Sequence, residues 1–582
     1  MKVIDKGENM MGTFTKYMNL KYSREEKALY FISCESGMHQ LWKYNPSTGR
    51  KMQLTRFEQN VKNYWLEDGH ITIAADYHGN ERNQFHMMDG EDIGTLIEDL
   101  DYFHHYGEYD DDQNIYTMVR NHHESSNFDL CLVHAKGSVR VLRTFDGPVH
   151  FISELPGDRL LLSKDVNNID EALMIYDMDK DEMEDVPLTE ARFSAFKFHE
   201  DRCLCLSDMH DGYMNVHEIN VEEGSHRRLT AFEWDVEHFK VSADKTEAIL
   251  SCNENGQSVL YRMDLETSST EKLEVIDDGV VHSLAYGEGR ELFLIHSSVD
   301  QPHRICRHSL ETGEMETVLG NTDQASEVSW RISSYRSFDD LEVPYFIYET
   351  DQEGKKTVIH IHGGPESQAR PEFNALYYQL NRAGFQVVVP NIRGSKGYGR
   401  SYLKADDKEK RLDAMKDVIE LRRHLMEGGM AEDSRISVMG RSYGGLMTLL
   451  LVTHHSELWA SAVDIVGISH LRTFLDHTPP WRRALRAAEY GSIEESGAFL
   501  DDISPLSRSK DISVPLMVFH SHHDARVPYS ESVQMVEAMK ENGQYVGFTA
   551  YENEGHTYMH QENIDDMNSK ILEFFNRTLQ HP

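Results

Sequence analysis

The sequence predicts two domains, an all-β domain of repeated four-stranded units followed by an α/β domain with a mainly parallel sheet. Two observations predict this fold class. A short pattern recurs seven times in the first half of the chain, at intervals of 43 to 45 residues. In the second half, apolar runs typical of buried strands alternate with helix-like segments, which indicates a parallel sheet covered on both faces.

The repeated pattern is an apolar residue, two variable residues, an apolar or aromatic residue and a polar residue. Its seven copies close at Asn45, Asp89, His134, Asp177, Asn220, Asp264 and Ser309. Turn residues and another short apolar run follow many of the copies. Periods of about 40 to 45 residues built of short strands are typical of propeller blades. We therefore predict a seven-bladed β-propeller over residues 25–330; a solenoid of helical pairs is disfavoured because no helical periodicity is sustained there.

The two ends of the repeat set the predicted domain boundaries. Residues 1–24 fall outside the repeat, and we expect them to cap the propeller or to pack on the second domain. Around residues 331–340 the pattern changes, so the second domain is predicted over residues 331–582.

Composition limits the classes of partner. The chain has 582 residues, with 59 Lys and Arg against 98 Asp and Glu, and a net charge of −39. This field repels phosphate and anionic lipid, so neither nucleic acid nor membrane is an expected partner. No signal-peptide core or long apolar run is present, so we expect a cytoplasmic protein. The six cysteines lack a CxxC spacing and favour reduced, buried thiols; no metal or cofactor is expected.

A nucleophile motif lies at the centre of the second domain. An apolar run from Ile436 leads into Gly440-Arg-Ser-Tyr-Gly444, and a longer apolar run follows. Strand, sharp turn and helix are the context that a G-x-S-x-G nucleophile elbow requires. Residues two before and two after the serine must be small in that turn, which the two glycines satisfy. Ser442 is therefore the predicted nucleophile.

An aspartate and a histidine follow this serine in the order typical of an α/β-hydrolase. Asp524 lies in the loop after the predicted buried strand at residues 514–519, and His556 lies just after a second predicted strand at residues 545–551. Both side chains are thus expected at the sheet edge where Ser442 emerges. We predict a Ser-His-Asp triad within an α/β-hydrolase domain.

A glycine-rich stretch at residues 362–365, His-Gly-Gly-Pro, follows another predicted strand. In this position such a loop supplies one backbone N–H to an oxyanion hole, and the residue after the nucleophile, Tyr443, supplies the second. The glycine-rich loop at residues 391–399 lacks the ending of a phosphate-binding loop, so we interpret it as a structural turn.

The propeller repeat together with HGGP, N-x-RGS-x-GYG, G-x-SYGG, D-x-RVP and EGH resembles the prolyl oligopeptidase family of serine peptidases, and most of all its acylaminoacyl peptidase branch. The resemblance implies that Gly364 and Tyr443 are the oxyanion donors. It also implies that Arg526 binds a backbone carbonyl of the substrate; a salt bridge that supports the rim loop is the alternative. A homodimer is expected from the resemblance alone.

Several residues depart from the family pattern or have two interpretations. His520, His522 and His523 precede Asp524, and we interpret them as hydrogen-bonded or solvated rim residues rather than metal ligands. Asp413 and Asp417 are interpreted as structural. Phe474 and Trp481 are candidates for the substrate side-chain pocket, with core packing as the alternative.

These features favour an enzyme that releases an N-acylated amino acid from short peptides, with the propeller limiting access to the triad. A dipeptidyl aminopeptidase is the second hypothesis, but it needs paired carboxylates for a free amine, and Glu222 and Glu223 lie at a probable hairpin turn. An oligopeptidase or esterase of the same family is also compatible with the motif. A propeller scaffold without activity is disfavoured by the complete triad.

Overall fold

The structure, a computed structural model, describes residues 14–134, 137–199, 202–320, 328–352 and 355–579. Residues 1–13, most of the predicted N-terminal segment, lie outside the described residues. Within the described ranges, no helix has the length and apolar character needed to cross a membrane. All six cysteines are free thiols, and five of them are buried, whereas Cys34 is half-buried.

The described residues of the first half of the chain form seven four-stranded antiparallel sheets, numbered blade one to blade seven. The strands of blades one to three are β1 (Tyr17–Ser23), β2 (Ala28–Ser33), β3 (Gln40–Asn45), β4 (Arg50–Gln53), β5 (Asn60–Leu66), β6 (Ile71–Asp76), β7 (Gln84–Asp89), β8 (Asp92–Ile97), β9 (Tyr102–Asp110), β10 (Ile115–His122), β11 (Asn127–His134) and β12 (Val139–Asp146). Those of blades four and five are β13 (Val149–Leu155), β14 (Arg159–Asp165), β15 (Glu171–Asp177), β16 (Glu182–Asp185), β17 (Phe193–His199), β18 (Arg202–Ser207), β19 (Asn215–Asn220) and β20 (Ser225–Arg228). Those of blades six and seven are β21 (Val236–Val241), β22 (Glu247–Glu254), β23 (Gln257–Asp264), β24 (Thr270–Leu273), β25 (Val280–Tyr286), β26 (Glu291–Ser298), β27 (Gln301–Ser309) and β28 (Met315–Leu319).

The predicted seven-bladed propeller is confirmed, and the repeated pattern coincides with the third strand of every blade. In the part of the propeller that the structure describes, each blade is built from consecutive strands and shares no strand with its neighbour. Blade one lies beside blade seven, where Phe31 packs in one apolar cluster with Phe293 and Ile305. The ring is therefore closed by side-chain packing between the first and last blades.

The start of the propeller differs from the prediction. Tyr17–Ser23 was expected outside the blades, but β1 pairs with β2 and forms the first strand of blade one. Only Tyr17 and Leu20 of this strand are buried, so its sequence carries a weak strand signal. Just before it, the ring of Phe14 contacts the ring of Phe373 in the second domain, with centroids 4.5 Å apart.

The second half forms one eight-stranded sheet in the order β29-β30-β32-β31-β33-β34-β35-β36. Its strands are β29 (Trp330–Arg336), β30 (Glu342–Tyr348), β31 (Lys356–Ile361), β32 (Phe385–Pro390), β33 (Ile436–Arg441), β34 (Ala462–Ile465), β35 (Leu516–Ser521) and β36 (Val546–Tyr551). The pairs β29–β30 and β30–β32 are antiparallel, and the other pairs are parallel. This is the predicted α/β-hydrolase domain.

Helices pack on both faces of this sheet. The α-helices are α1 (Ala375–Arg382), α2 (Arg400–Leu403), α3 (Arg411–Glu427), α4 (Tyr443–His454), α5 (Leu471–Asp476), α6 (Pro480–Tyr490), α7 (Ile493–Ile503), α8 (Ser530–Glu541) and α9 (Gln561–Thr578). Short 3-10 helices span Lys408–Lys410, Asp433–Arg435, Ser456–Leu458 and Pro505–Asp511. Two apolar cores, one on each face, hold the central strands buried, as the continuous apolar runs predict.

Loops after the parallel strands β31, β33, β35 and β36 leave the sheet at one edge, because parallel strands end on the same side. The propeller lies against this edge. Arg400 of the hydrolase domain is paired with Asp170 and Asp208 of the propeller, and Arg370 is paired with Glu237. The edge that carries the predicted triad therefore faces the propeller.

Candidate active site

Ser442 stands in a tight turn between β33 and α4. Its backbone has φ 57° and ψ −116°, a strained combination for a residue with a side chain. A Cβ atom on Gly440 would lie 2.0 Å from the carbonyl oxygen of Gly444, and one on Gly444 would lie 2.0 Å from that of Ile361. The two glycines of the motif are thus required by close backbone approach. The turn places Ser442 at the N-terminus of α4.

The three predicted triad residues are hydrogen-bonded to one another. The distance from Ser442 Oγ to His556 Nε2 is 3.0 Å, and that from His556 Nδ1 to Asp524 Oδ2 is 2.7 Å. The other carboxylate oxygen of Asp524 accepts the backbone N–H groups of Arg526 and Val527, at 2.8 and 2.9 Å. This arrangement fixes the tautomer in which His556 Nδ1–H donates to Asp524 and Nε2 is left to accept the serine proton.

Burial sets the protonation states of this pair. The side chain of Asp524 is fully buried and that of His556 nearly so. Burial lowers the pKa of His556, and the opposing attraction of Asp524 does not restore it to its ordinary value. Burial alone would raise the pKa of Asp524, but His556 and the backbone N–H groups outweigh it and the pKa is lowered. At neutral pH a neutral imidazole therefore faces an ionised carboxylate.

The predicted oxyanion loop lies beside the serine. A Cβ atom on Gly363 would lie 3.4 Å from Ser442 Cβ, and Gly364 has φ +130°, which favours glycine. His362 holds this loop in place through a 2.9 Å hydrogen bond between Nε2 and Ser395 Oγ, in the second glycine-rich loop. That loop is therefore structural at this point, in agreement with its interpretation as a turn.

Tyr443, the residue after the serine, is fixed by its side chain. Its buried hydroxyl donates a hydrogen bond to Asp406, and the ring lies near the guanidinium of Arg411. Arg411 in turn is paired with Glu489, and both side chains are buried. The backbone N–H of Tyr443, a predicted oxyanion donor, thus belongs to a residue that cannot rotate freely.

A propeller loop between β6 and β7 contacts both loops that carry the aspartate and the histidine. A Cβ atom on Gly555, next to His556, would lie 2.1 Å from the carbonyl oxygen of Gly79. The ring of His78 stacks on that of His523, next to Asp524, with centroids 5.2 Å apart. The propeller therefore packs directly on the two loops.

The same propeller loop supplies Glu81, which binds two arginines of the hydrolase domain. Its carboxylate is paired with Arg526 and, at 3.0 Å, with Arg482. Arg482 also donates to the carbonyl oxygen of Ala525. The side chain of Arg526 is 53 % exposed, so it remains accessible beside the triad. Arg526 thus forms a salt bridge, as the alternative interpretation expects. Contact of Arg526 with substrate stays a prediction.

The histidines near Asp524 differ in their surroundings. His520 is fully buried; its Nδ1 lies 2.7 Å from Ser532 Oγ and its Nε2 lies 3.1 Å from the carbonyl oxygen of Val527. Burial lowers its pKa to about 4, so the ring is neutral. His520 is hydrogen-bonded, as expected, but it lies buried beneath the loop rather than on the rim. His522 and His523 are exposed.

The two candidate pocket residues pack against other side chains. Phe474 is 1 % exposed and packs in the core against Tyr490, with the guanidinium of Arg486 over its ring. Trp481 contacts the rings of Phe103 and Phe128 in blade three. In the structure both Phe474 and Trp481 pack against other aromatic side chains. Their contact with substrate stays a prediction.

Asp417 and Asp413 differ in burial. Asp417 is fully buried and binds the guanidinium of Arg393 through both oxygens, at 2.9 and 2.8 Å, and the hydroxyl of Ser337. Asp413 is partly exposed; it is paired with Lys416 at 2.8 Å and lies 3.9 Å from the guanidinium of Arg393. Asp417 thereby anchors the loop at residues 391–399 to α3.

Sequence reasoning missed Glu81, Arg482 and the Asp406–Tyr443 contact. Glu81 is 445 residues away from Arg526 in the chain and lies in a propeller loop of ordinary polar composition. Arg482 follows Trp481 on an amphipathic helix, where charged residues are common on the polar face. No sequence signal distinguishes these residues from solvated surface charges.

A comparison with protein families matches residues 371–582 to the prolyl oligopeptidase family. A dipeptidyl aminopeptidase, BIII, of Pseudoxanthomonas mexicana is 30% identical over 217 residues, which are 36% of this chain and 32% of the relative. The acylamino-acid-releasing enzyme of Arabidopsis thaliana is 28% identical over 204 residues, 34% of this chain and 27% of the relative. The chain thus matches about a third of the length of these curated relatives.

The likeness of fold extends over both domains. A puromycin-hydrolyzing peptidase of Mycobacterium tuberculosis superposes with a TM-score of 0.86 at 16% identity, and the match covers 97% of this chain and 95% of that one. At this identity the comparison supports the architecture, a propeller joined to an α/β-hydrolase domain.

Proposed function

We propose that this chain, whose residues 371–582 match the prolyl oligopeptidase family, is a serine peptidase that hydrolyses short peptides. The observation that carries the proposal is the chain of hydrogen bonds from Ser442 through His556 to Asp524. Nucleophile, base and orienting carboxylate are each within the distance that such catalysis needs.

The proposed reaction begins when His556 Nε2 takes the proton of Ser442 as its oxygen attacks the peptide carbonyl. Asp524 stabilises the imidazolium that forms. The negative oxygen of the tetrahedral intermediate is bound by the backbone N–H groups of Gly364 and Tyr443. His556 then protonates the leaving amine, an acyl-enzyme remains on Ser442, and water attacks it by the same route in reverse.

The propeller is proposed to restrict which substrates reach the serine. It contacts the loops of both His556 and Asp524, so a folded protein has no direct path to the triad from that side. Short or unfolded peptides are the substrates that such a cover admits. Arg526 is proposed to bind a carbonyl oxygen of the peptide, for which its exposed guanidinium is suited.

For the N-terminal preference we propose release of an N-acylated amino acid, and the sequence resemblance supports it. A dipeptidyl aminopeptidase is the second candidate, because one relative bears that name. The paired carboxylates Glu222 and Glu223 do not favour it, since they lie in the exposed turn between β19 and β20 and Glu222 is paired with Arg159.

The deciding experiment compares N-acetylated phenylalanine or leucine anilides with free-amine dipeptide anilides of the same leaving group. Turnover of the acetylated set that Ser442→Ala abolishes supports the first candidate. Turnover of the free-amine set alone replaces it with the second. Absence of turnover in folded protein, with no reaction at Ser442, returns the scaffold hypothesis. A homodimer and a cytoplasmic location stay predictions, for which light scattering and cell fractionation are the measurements.

A further inference from the structure

Three side chains of metal-binding type converge where blade seven meets the hydrolase domain. His282 lies on β25, His303 on β27, and Glu372 in the loop before α1. One donor atom of each lies within 4.8 Å of the other two. We propose that these residues bind a divalent transition-metal ion, with Zn²⁺ the best fit, and that the ion joins the two domains.

The spacing of the donors suits such an ion. In a tetrahedral zinc site with bonds of about 2.1 Å, donor atoms lie roughly 3.4 Å apart. His282 Nε2 and Glu372 Oε2 are 3.5 Å apart, which is already this spacing. The ring of His303 lies beside that of His282, with centroids 4.2 Å apart and planes 21° apart. The donor atom of His303 lies within 4.8 Å of the other two, so binding requires the His303 side chain to shift toward them.

The hydrogen bonding of His303 prepares it as a ligand. Its Nδ1–H donates to the carbonyl oxygen of Tyr17 at 3.2 Å, which leaves the lone pair of Nε2 for a metal. A backbone carbonyl on the second ring nitrogen is the usual support of a ligating histidine.

The donor set is that of a zinc site with an open fourth position. Two imidazole nitrogens and one carboxylate oxygen are ligands that Zn²⁺ accepts, with water in the remaining position. His303 and Glu372 line a cavity of about 730 Å³ between the domains, which can supply this water.

Three neighbouring groups oppose or compete with the ion. The hydroxyl of Ser297 lies 2.8 Å from His282 Nε2 and has to rotate away. Lys16 and Arg370 are positive charges near the cluster. The charge of Arg370 is offset by its ion pair with Glu237, so Lys16 is the main opposing charge. We therefore expect a site of moderate affinity that distinguishes transition metals from Mg²⁺ and Ca²⁺, which prefer oxygen ligands.

The test is a titration of untagged, chelator-treated full-length protein with Co²⁺, followed by visible absorption. We expect one saturable equivalent that Zn²⁺ displaces and Mg²⁺ does not. His303→Gln and Glu372→Gln should each weaken binding at least tenfold. His226→Gln, which removes an exposed histidine of blade five, is the matched control and should bind as the unaltered protein does.

A second readout is thermal unfolding. Zn²⁺ should raise the unfolding midpoint of the unaltered protein and of His226→Gln, but not of the two ligand variants, because only an ion bound to the folded state stabilises it. The proposal is overturned if the unaltered protein binds no saturable equivalent of Co²⁺ or Zn²⁺, whatever the variants do. It is equally overturned if folded His303→Gln and Glu372→Gln bind as tightly as the control. None of these readouts depends on hydrolysis, so they stand apart from the proposed peptidase function.

Discussion

Glu81 of the propeller is ion-paired with Arg526 of the hydrolase domain, two residues after Asp524, the aspartate of the proposed triad. A single carboxylate thereby connects the propeller with the arginine proposed to bind substrate. While Glu81 holds it, this arginine has one fewer donor for a peptide carbonyl.

We predict opposite effects of substitutions at the two ends of this pair. Arg526→Ala should raise KM for a peptide anilide about tenfold or more, since a charge-assisted hydrogen bond contributes about 1.5 to 3 kcal/mol. Glu81→Gln should lower KM, because it releases the guanidinium. Steady-state kinetics on both variants and the double variant measure this. If Glu81→Gln lowers KM equally in the Arg526→Ala background, Arg526 is not the group that is released.

Ser442→Ala should lower kcat/KM by at least about a thousandfold without loss of folded structure. A fluorophosphonate probe should label the unaltered protein and leave Ser442→Ala unlabelled. Ser461→Ala, which removes the hydroxyl of a buried serine directly before β34, is a control that should still be labelled. Labelling of Ser442→Ala to the same extent would contradict the assignment of the nucleophile.

The apparent pKa on the acid side of the kcat/KM–pH profile should lie below the ordinary range for histidine. Burial lowers the pKa of His556, and the imidazole must be neutral to act as the base. Near pH 7, kcat/KM should therefore not vary with pH. On acidification it should decline with an apparent pKa below about 6.5. The measurement is kcat/KM against pH with a substrate that does not titrate. An apparent pKa above 7 would mean that Asp524 dominates over burial.

Asp417→Ala should destabilise the hydrolase domain far more than Asp413→Ala, although both residues lie on α3. Removing Asp417 deprives the buried guanidinium of Arg393 of its fully buried partner, although Asp339 stays paired with it. We expect a loss of about 3 kcal/mol, the lower end of the cost of breaking a buried ion pair. The Asp413 pair with Lys416 is partly exposed and contributes at most about 1 kcal/mol. Chemical denaturation of both variants gives the comparison; equal destabilisation would show that burial is not the deciding factor.

The parts of the molecule that repeat or follow local rules were predictable. The pattern ending at Asn45 and its six counterparts mark third strands. Its two apolar positions are three residues apart and so face opposite sides of the strand; in β3, Leu41 and Tyr44 pack in two different apolar clusters. Proximity of Ser442, Asp524 and His556 follows from parallel strands that end at one edge.

Contacts between the domains were not predictable. Glu81, Arg482 and the cluster of His282, His303 and Glu372 are brought together by docking, and their sequence separations carry no ligand or triad spacing. The first strand, Tyr17–Ser23, was missed for a local reason, since it presents only two buried side chains.

Because the blades of this propeller share no strand, they can fold one after another along the chain. Each blade completes its backbone hydrogen bonds within a continuous stretch of chain, so its contacts are local and can form as synthesis proceeds. The contact between the Leu20 amide and Ser283 spans 263 residues, and it joins blade one to blade seven. Closure of the ring must therefore wait for the last blade to be translated, whereas each earlier blade need wait only for its own fourth strand.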